Sequence, residues 1–399
     1  MEMQELLKCG RADAESVTEL ASALIRQPSR GGIDEYGPVL AVAETWLKDH
    51  DLPCRRLYGP DQDVVGLACE VVGGISGSTW VLDACLDTAP FGDESAWSFP
   101  PTAGDVADGW LRGRGSADSK SGAALFCHIA AAVAPHADRL TGTLAVLLDV
   151  DEHTGEFGGA RAFLSDHGVA PIGGVLIGYP GVDEVVVGGR GVLRARVHVF
   201  GVAEHSGASR PSQVNAVSRA ASLIRALDAV ELPAVEASTF PLPPKLTVTG
   251  VHGGEGFSTV PDACVVSIDI RLTDALDTDS ALKLLQQAAA ELDHDSPGPR
   301  PTTVETVMSW PPFLLGEHDQ PAAALLASAR EAGIDARPKV AGPSNIGNLL
   351  GDFGIRATAG FGLRYQGLHG TDECVSLDAL PAVHAAYHRC VRSLMDVDS

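Results

Sequence analysis

The stretch GRGSADSKSGAALFCHIAAAVA at residues 113–134 decides the fold, because a glycine-rich loop containing Asp118 leads directly into an apolar helix. Short apolar segments flank it: STWVLDACLD at 78–87, GTLAVLLDVD at 142–151 and GGVLIGYP at 173–180. Such runs are typical of buried strands. Strands that alternate with helices predict an α/β domain with a mostly parallel sheet and helices on both faces.

The pattern changes near Gly191. VLRARVHVFGV at 192–202 alternates apolar and polar residues, as a half-exposed strand does. A chain of 399 residues is also long for a single core. We therefore predict an inserted α+β domain at 191–308 and a catalytic domain formed by 1–190 and 309–399.

Composition limits the partners and the compartment. The formal net charge of -23 disfavours binding to nucleic acid. No segment approaches the roughly 18 apolar residues that a membrane span needs, so we expect no membrane partner. The eight cysteines are dispersed and the N-terminus is polar, which favours a reduced, cytoplasmic protein.

Polar residues follow several of these apolar segments. Asp118 precedes a helix, Glu152 and His153 follow a strand, and His369 lies in GLRYQGLHGTDE. Singly, each has a structural interpretation: a helix cap, a solvated loop, a buried imidazole. Together they supply the two imidazoles and the carboxylate that suit zinc, and a glutamate to take a proton from water.

Longer motifs add a family resemblance. The chain resembles the M20 metallopeptidases, which include acetylornithine deacetylase, succinyl-diaminopimelate desuccinylase, aminoacylase and carboxypeptidase G2. The resemblance runs from about Val81 to Val375. Its landmarks are LDACLDTAP (82–90), WSFPPTAGDVADGWLRGRGSADSKSG (97–122), DEHTG (151–155), IGYP (177–180), AEHSG (203–207), STVPDACVVSIDIR (258–271) and LHGTDE (368–373). The resemblance implies a catalytic α/β domain with two zinc ions and a smaller lid domain that usually forms a homodimer. The predicted insertion falls where that lid belongs.

The resemblance also implies roles for residues in the catalytic domain. Asp118 corresponds to the carboxylate that bridges the two metals, Glu152 to the general base and His369 to a late histidine ligand.

Further roles concern the substrate. His205 matches a lid histidine that reaches the neighbouring subunit's site and polarises the scissile carbonyl. Arg271 matches an arginine that holds the substrate carboxylate, and a structural strand arginine is the alternative. Ser344 and Asn345 lie where the family has a loop in contact with substrate.

The departures from the family pattern fall on the metal ligands. The usual His-x-Asp is Cys85-Leu86-Asp87, the second acid of the usual Glu-Glu pair is His153, and the acid before proline is Tyr179. A phenol, with a pKa of about 10, is a poor ligand at neutral pH. We therefore expect one zinc per chain on Asp118, His153 and His369, with Cys85 the remaining part of an empty or weak second site. Asp87 would contact the metal ligands without binding the metal itself, and Tyr179 would offer a hydrogen bond to substrate.

The leading hypothesis is the hydrolysis of an amide bond in an N-acyl or N-aminoacyl amino acid, as in a deacylase or dipeptidase. Co²⁺ or Mn²⁺ could replace Zn²⁺. Two alternatives stay open. The first is acyl transfer or cyclisation at one zinc in specialised metabolism, and the second is a binding homologue without activity.

Overall fold

The protein is described here by a computed structural model covering residues 1–167, 172–209, 214–235, 240–316 and 318–396. The chain forms two compact units. The first comprises Met1–Val187, Leu315–Lys339 and Phe353–Ser399, and the second comprises Gly188–Leu314 and Val340–Asp352. The insertion predicted at 191–308 lies inside the second unit, whereas the prediction places 340–352 in the catalytic domain. A lid or dimerisation role for the second unit stays a prediction.

The described residues contain nine α-helices: α1 Met3–Ile25, α2 Gly37–Asp49, α3 Ser121–Val133, α4 Gly158–His167, α5 Ala216–Asp228, α6 Thr278–Asp295, α7 Ala322–Glu331, α8 Ile346–Asp352 and α9 Leu380–Leu394. They also contain these strands: β1 Cys54–Tyr58, β2 Val64–Val72, β3 Ile75–Cys85, β4 Asp105–Ala107, β5 Trp110–Arg112, β6 Thr141–Asp149, β7 Ile172–Ile177, β8 Glu184–Gly189, β9 Gly191–Phe200, β10 Lys245–Gly253, β11 Ala263–Leu272, β12 Thr303–Trp310, β13 Phe313–Leu314, β14 Arg337–Ala341, β15 Ala357–Ala359, β16 Tyr365–Gln366 and β17 Cys374–Ser376.

The first unit is built on a six-stranded sheet with the order β1-β2-β6-β3-β7-β15. Strands β6, β3, β7 and β15 are parallel to one another, β2 pairs with β6 in antiparallel fashion, and β1 pairs in antiparallel fashion with β2. The central strands are buried along most of their length because helices pack on the sheet. The predicted α/β class is confirmed.

The parallel strands bring several predicted residues to one edge of this sheet. Cys85 is the last residue of β3 and pairs with Asp149, the last residue of β6. Glu152 and His153 follow β6, and Tyr179 follows β7. Ligand sites in open α/β sheets lie at the carboxyl ends of the strands, where these residues are found.

The second unit contains an antiparallel sheet with the order β10-β11-β9-β12. Helices α5 and α6 pack against it and bury its alternating apolar side chains. The α+β character predicted for this region agrees with that arrangement. Strand β12 was not predicted, because it directly follows the proline-rich segment DSPGPRPT.

No helix within the described ranges is long and apolar enough to cross a membrane.

Candidate active site

A buried ion pair holds the loop that carries Asp118. Glu373 Oε1 accepts hydrogen bonds from the backbone N–H groups of Gly115, Ala117 and Asp118, at 3.0, 2.9 and 3.3 Å. Its other oxygen lies 2.5 Å from Nη1 of Arg114. Both side chains are almost completely buried, so the pair fixes this loop relative to the segment that contains His369.

Asp118, His153 and His369 meet beyond the carboxyl ends of the strands. Nε2 of His369 lies 2.9 Å from Asp118 Oδ2, and Nε2 of His153 lies 3.6 Å from the same oxygen. The three ligand atoms are all within 4.8 Å of one another. We call these three residues the metal cluster, because two imidazoles and a carboxylate at this spacing fit a zinc ion.

The two histidines reach the cluster differently. His153 is nearly buried, with 9% of its side chain exposed, whereas 55% of the His369 side chain is exposed. His369 has a φ of 57°, in the left-handed region that few residues other than glycine adopt. Backbone conformations of this kind are concentrated at functional sites.

The cluster groups strongly perturb one another's protonation. Burial opposes charge on Asp118, but hydrogen bonds to His153 and His369 prevail and lower the pKa of Asp118 below its usual range. Burial likewise opposes charge on His153, yet Asp118 and Asp87 raise its pKa to about 11. Burial and the Asp118 charge raise the pKa of Glu152 well above its usual range. Perturbed groups at a strand edge are typical of catalytic sites.

Cys85 is buried beside the cluster. Its Sγ lies 3.7 Å from Asp118 Oδ1 and 3.4 Å from Ser119 Oγ. Burial and the nearby carboxylates of Glu152 and Asp118 raise the pKa of the Cys85 thiol well above its ordinary value. A thiol that keeps its proton is a poor metal ligand. Cys85 also forms a group of three potential ligands with Asp87 and His153, so His153 belongs to both groups.

Tyr179 lies after β7, where the resemblance places an acidic ligand. It lines a cavity of about 20 Å³ together with Ser116 and Ser121. Among the described residues, neither serine hydroxyl has a hydrogen-bond partner. The volume suits one buried water molecule, and the two serine hydroxyls are available to bind it.

Arg271 and Ser344, both in the second unit, are brought together. Nη1 of Arg271 lies 3.4 Å from Ser344 Oγ, while Nε and Nη2 contact the Asp269 carboxylate at 2.8 and 3.2 Å. Arg190 was missed in the sequence. Burial and the Arg271 charge lower its pKa, and it donates to the backbone oxygens of Gly342 and Pro243.

Asn345 begins the turn into α8. Its Oδ1 accepts the Gly347 N–H at 2.8 Å, and its own N–H donates to Asn348 Oδ1 at 2.9 Å. These bonds fix the turn in which Ser344 and Asn345 lie.

His205 is exposed on a short antiparallel bridge with Thr259. Its Nδ1 accepts the N–H of Gly207 at 3.0 Å. In a neutral imidazole the proton is then on Nε2, which becomes a hydrogen-bond donor.

Three positioning residues lay within quoted motifs without a predicted role. Glu373 ends LHGTDE, Arg114 belongs to GRG, and Lys120 follows Asp118 by two positions. Lys120 Nζ donates to the backbone oxygens of Leu24 and Gln27, and burial lowers its pKa to about 7. The signal that the sequence offered was a charged residue next to glycines inside a motif, because charged side chains are almost never fully buried unless they are paired.

Comparisons with known proteins identify the family of this chain. The pattern of Peptidase family M20/M25/M40 matches residues 81–393. A succinyl-diaminopimelate desuccinylase from Cereibacter sphaeroides is 30% identical over 397 residues, covering 94% of this chain and 97% of that protein.

Solved structures show the same fold. A tripeptidase from Staphylococcus aureus has a TM-score of 0.76 at 18% identity, covering 96% of this chain and 99% of that one. A dinuclear metal-binding M20 peptidase from Bacillus subtilis has a TM-score of 0.71 at 13% identity, covering 97% and 99%.

The sequence similarities and the metal cluster define a metal-dependent hydrolase of amide bonds. The chain belongs to Peptidase family M20/M25/M40.

Proposed function

We propose that this enzyme hydrolyses the amide bond of an N-acyl or N-aminoacyl amino acid, with one zinc ion per chain. The observation that carries the proposal is the metal cluster of Asp118, His153 and His369, with Glu152 adjacent to it in the chain. The desuccinylase relative makes an N-acylated amino acid the first substrate class to test.

Zinc is the first choice of metal because two of the three ligands are imidazoles, although Co²⁺ or Mn²⁺ would accept the same set. When bound, the ion supplies Lewis acidity that polarises a carbonyl and lowers the pKa of water. A second ion is not expected, because Cys85 keeps its proton and Tyr179 is a phenol.

Glu152 would act as the general base. A carboxylate accepts a proton from the attacking water and delivers it to the leaving amine, which is most efficient when its pKa lies near the working pH. The raised pKa of Glu152 favours this exchange.

His205 would donate a hydrogen bond from Nε2 to the oxyanion that forms at the scissile carbonyl, since its Nδ1 is already an acceptor. Tyr179 would supply a second hydrogen bond through its phenol.

A substrate carboxylate would bind beside Arg271, Ser344 and Asn345. Asp269 occupies two of the Arg271 nitrogens, but Nη1 faces the Ser344 hydroxyl. Arg190 adds a second positive charge near Arg271. The positive charges of the two guanidinium groups together favour an anionic ligand.

A homodimer through the second unit is part of the proposal. Strand β10 lies at one edge of its sheet, and an edge strand offers unpaired backbone groups to another chain. Val251 and Phe257 are exposed on and after this strand. Sedimentation of the purified protein would show the mass of two chains, and a single-chain mass would contradict the assembly. A cytoplasmic location stays a prediction from the eight dispersed cysteines, which are free in the structure.

The deciding experiment combines the metal content with the fate of solvent oxygen. We expect one zinc per purified chain, and one ¹⁸O atom from labelled water in the acid released from N-succinyl or N-acetyl amino acids. Product formed without the label would indicate acyl transfer or cyclisation. A protein that binds no zinc and converts no substrate would support a binding role.

Tyr179→Phe tests the phenolic hydrogen bond. Loss of one such bond in the transition state is expected to lower kcat by about 10- to 100-fold with zinc content unchanged. Steady-state kinetics with an N-acyl amino acid measure the effect, and unchanged kcat would remove this role.

A further inference from the structure

Asp87 is a completely buried carboxylate two residues beyond β3. The segment after α1 covers it. Ser29 Oγ donates to the Leu86 oxygen at 2.7 Å. The Thr88 N–H donates to the Ser29 oxygen at 2.8 Å, and the Gly31 N–H donates to the Thr88 oxygen at 2.9 Å. Asp87 therefore has to be satisfied by protein groups rather than by water.

The partners come from the segment after β6. Oδ1 accepts the N–H of Glu152 at 3.2 Å. Oδ2 accepts the N–H of His153 at 2.9 Å and lies 3.3 Å from Nδ1 of the same histidine. Because an ionised carboxylate only accepts hydrogen bonds, Nδ1 of His153 must carry the proton in this contact.

The second nitrogen of His153 faces the metal cluster, since its Nε2 is the atom 3.6 Å from Asp118 Oδ2. We propose that Asp87 is a positioning residue that fixes the tautomer and orientation of His153, leaving Nε2 as the metal ligand. This inference rests on the proposed function, because it takes His153 as a ligand. A carboxylate behind a ligating imidazole strengthens metal binding through such a bond.

Gly31 packs against the outer side of the same pair. A Cβ at position 31 would lie 2.9 Å from the His153 Cβ and 3.3 Å from Asp87 Oδ2. The Gly31 backbone thus lies directly against the His153 Cβ and the Asp87 carboxylate, which leaves this pair little room to shift. Gly31→Ala is expected to displace the His153 Cβ or the Asp87 carboxylate and so to weaken metal binding.

The substitutions particular to this chain explain why the pair exists. A glutamate at position 153, usual in the family, would have no second nitrogen in need of a partner. Cys85 stands where the usual motif has a histidine, and its sulfur is directed to Asp118 and Ser119. Asp87 is therefore available to His153.

A double-mutant cycle on the full-length protein tests the proposal. The zinc dissociation constant is measured by chelator competition for wild type, Asp87→Asn, His153→Glu and the double variant. Asp87→Asn is expected to weaken zinc binding by about 10- to 100-fold in wild type. In the His153→Glu background the same change should leave the affinity unchanged or tighten it, because no imidazole depends on Asp87 there.

Asp83→Asn is the matched control, because it removes another buried carboxylate from β3. It should change zinc affinity by less than about threefold, as expected for a side chain outside the coupled pair. Melting of the metal-free variants reports any loss of folding. Equal weakening by Asp87→Asn in both backgrounds would overturn the positioning role while leaving the proposed function intact. A wild-type protein that binds no zinc would overturn both.

Discussion

Two groups of histidines in the first unit illustrate opposite uses of the same side chain. In the metal cluster, His153 lies between the carboxylates of Asp87 and Asp118. In the helix-interface cluster, which we define as Asp13 on α1 with His384 and His388 on α9, Nε2 of His384 lies 3.2 Å from Asp13 Oδ2. Both ring nitrogens of His388 have no hydrogen-bond partner among the described residues.

The difference appears in the pKa values. Carboxylates raise the pKa of His153 to about 11 despite burial. Burial, together with the positive charges of His384 and Arg392, lowers the pKa of His388 to about 3. Burial and neighbouring positive charge therefore favour a neutral imidazole, and close carboxylates reverse the result. The metal cluster places negative charge where a cation can bind. The helix-interface cluster keeps the His388 imidazole neutral.

The largest effect is expected from Asp118→Asn, which removes the carboxylate from the metal cluster. Zinc content should fall from one per chain to none, and kcat/KM should fall by at least about 10³-fold, since metal assistance is worth several kcal/mol. Metal analysis and steady-state kinetics measure both.

The control removes a carboxylate from the other group of histidines. Asp13→Asn is expected to keep its zinc and its activity, because its contacts are with α9. If Asp118→Asn retained a full equivalent of zinc, Asp118 would not be a required metal ligand, and the two groups of histidines would not differ in metal binding as proposed.

The sequence predicted the parts of this contrast that depend on local pattern. The predicted strands at 142–151 and 192–202 overlap β6 and β9, since continuous or alternating apolar residues mark them. Asp118, His153 and His369 were named as ligands, and the structure brings them together.

Long-range partners could not be read from the pattern. Glu373 holds the Asp118 loop from more than 250 residues away, and Arg190 meets Arg271 only through the fold of the second unit. His384 and His388 lie four residues apart in an amphipathic helix, a spacing typical of an ordinary core face. Only the packing of α1 on α9 shows that His384 lies beside Asp13, whereas His388 has no hydrogen-bond partner within the described part of the chain.

An intermediate effect is expected when acid reaches the helix-interface cluster. The folded-state pKa of His388, about 3, is below the value near 6.5 of an unfolded histidine. Between these pH values His388 binds a proton in the unfolded chain but not in the folded protein. The contribution of His388 to stability is therefore complete above about pH 6.5 and declines as the pH falls toward 3. From about pH 7.5 to pH 5, His388 should lower the free energy of unfolding by about 2 kcal/mol.

His388→Leu should remove that share of the pH dependence, which urea unfolding of the metal-free protein at the two pH values would measure. His252→Leu, at an exposed position in the second unit, controls for the loss of an imidazole. Equal pH dependence in wild type and His388→Leu would show that the buried ring becomes protonated without cost.

The smallest effect is expected from Cys85→Ser, which tests whether the carboxylate-rich surroundings exclude a thiolate. Because neighbouring negative charge and burial keep the proton on sulfur, Cys85 should contribute little to metal binding. The variant is expected to retain one zinc per chain, with a dissociation constant within about threefold of wild type. Cys127→Ser, a second buried cysteine on α3, is the matched control for removing a thiol from the core. A wild type with two zinc ions, one of them lost only in Cys85→Ser, would mean that bound metal displaces the thiol proton. The same carboxylates would then favour a second cation, and the single-zinc proposal would be wrong.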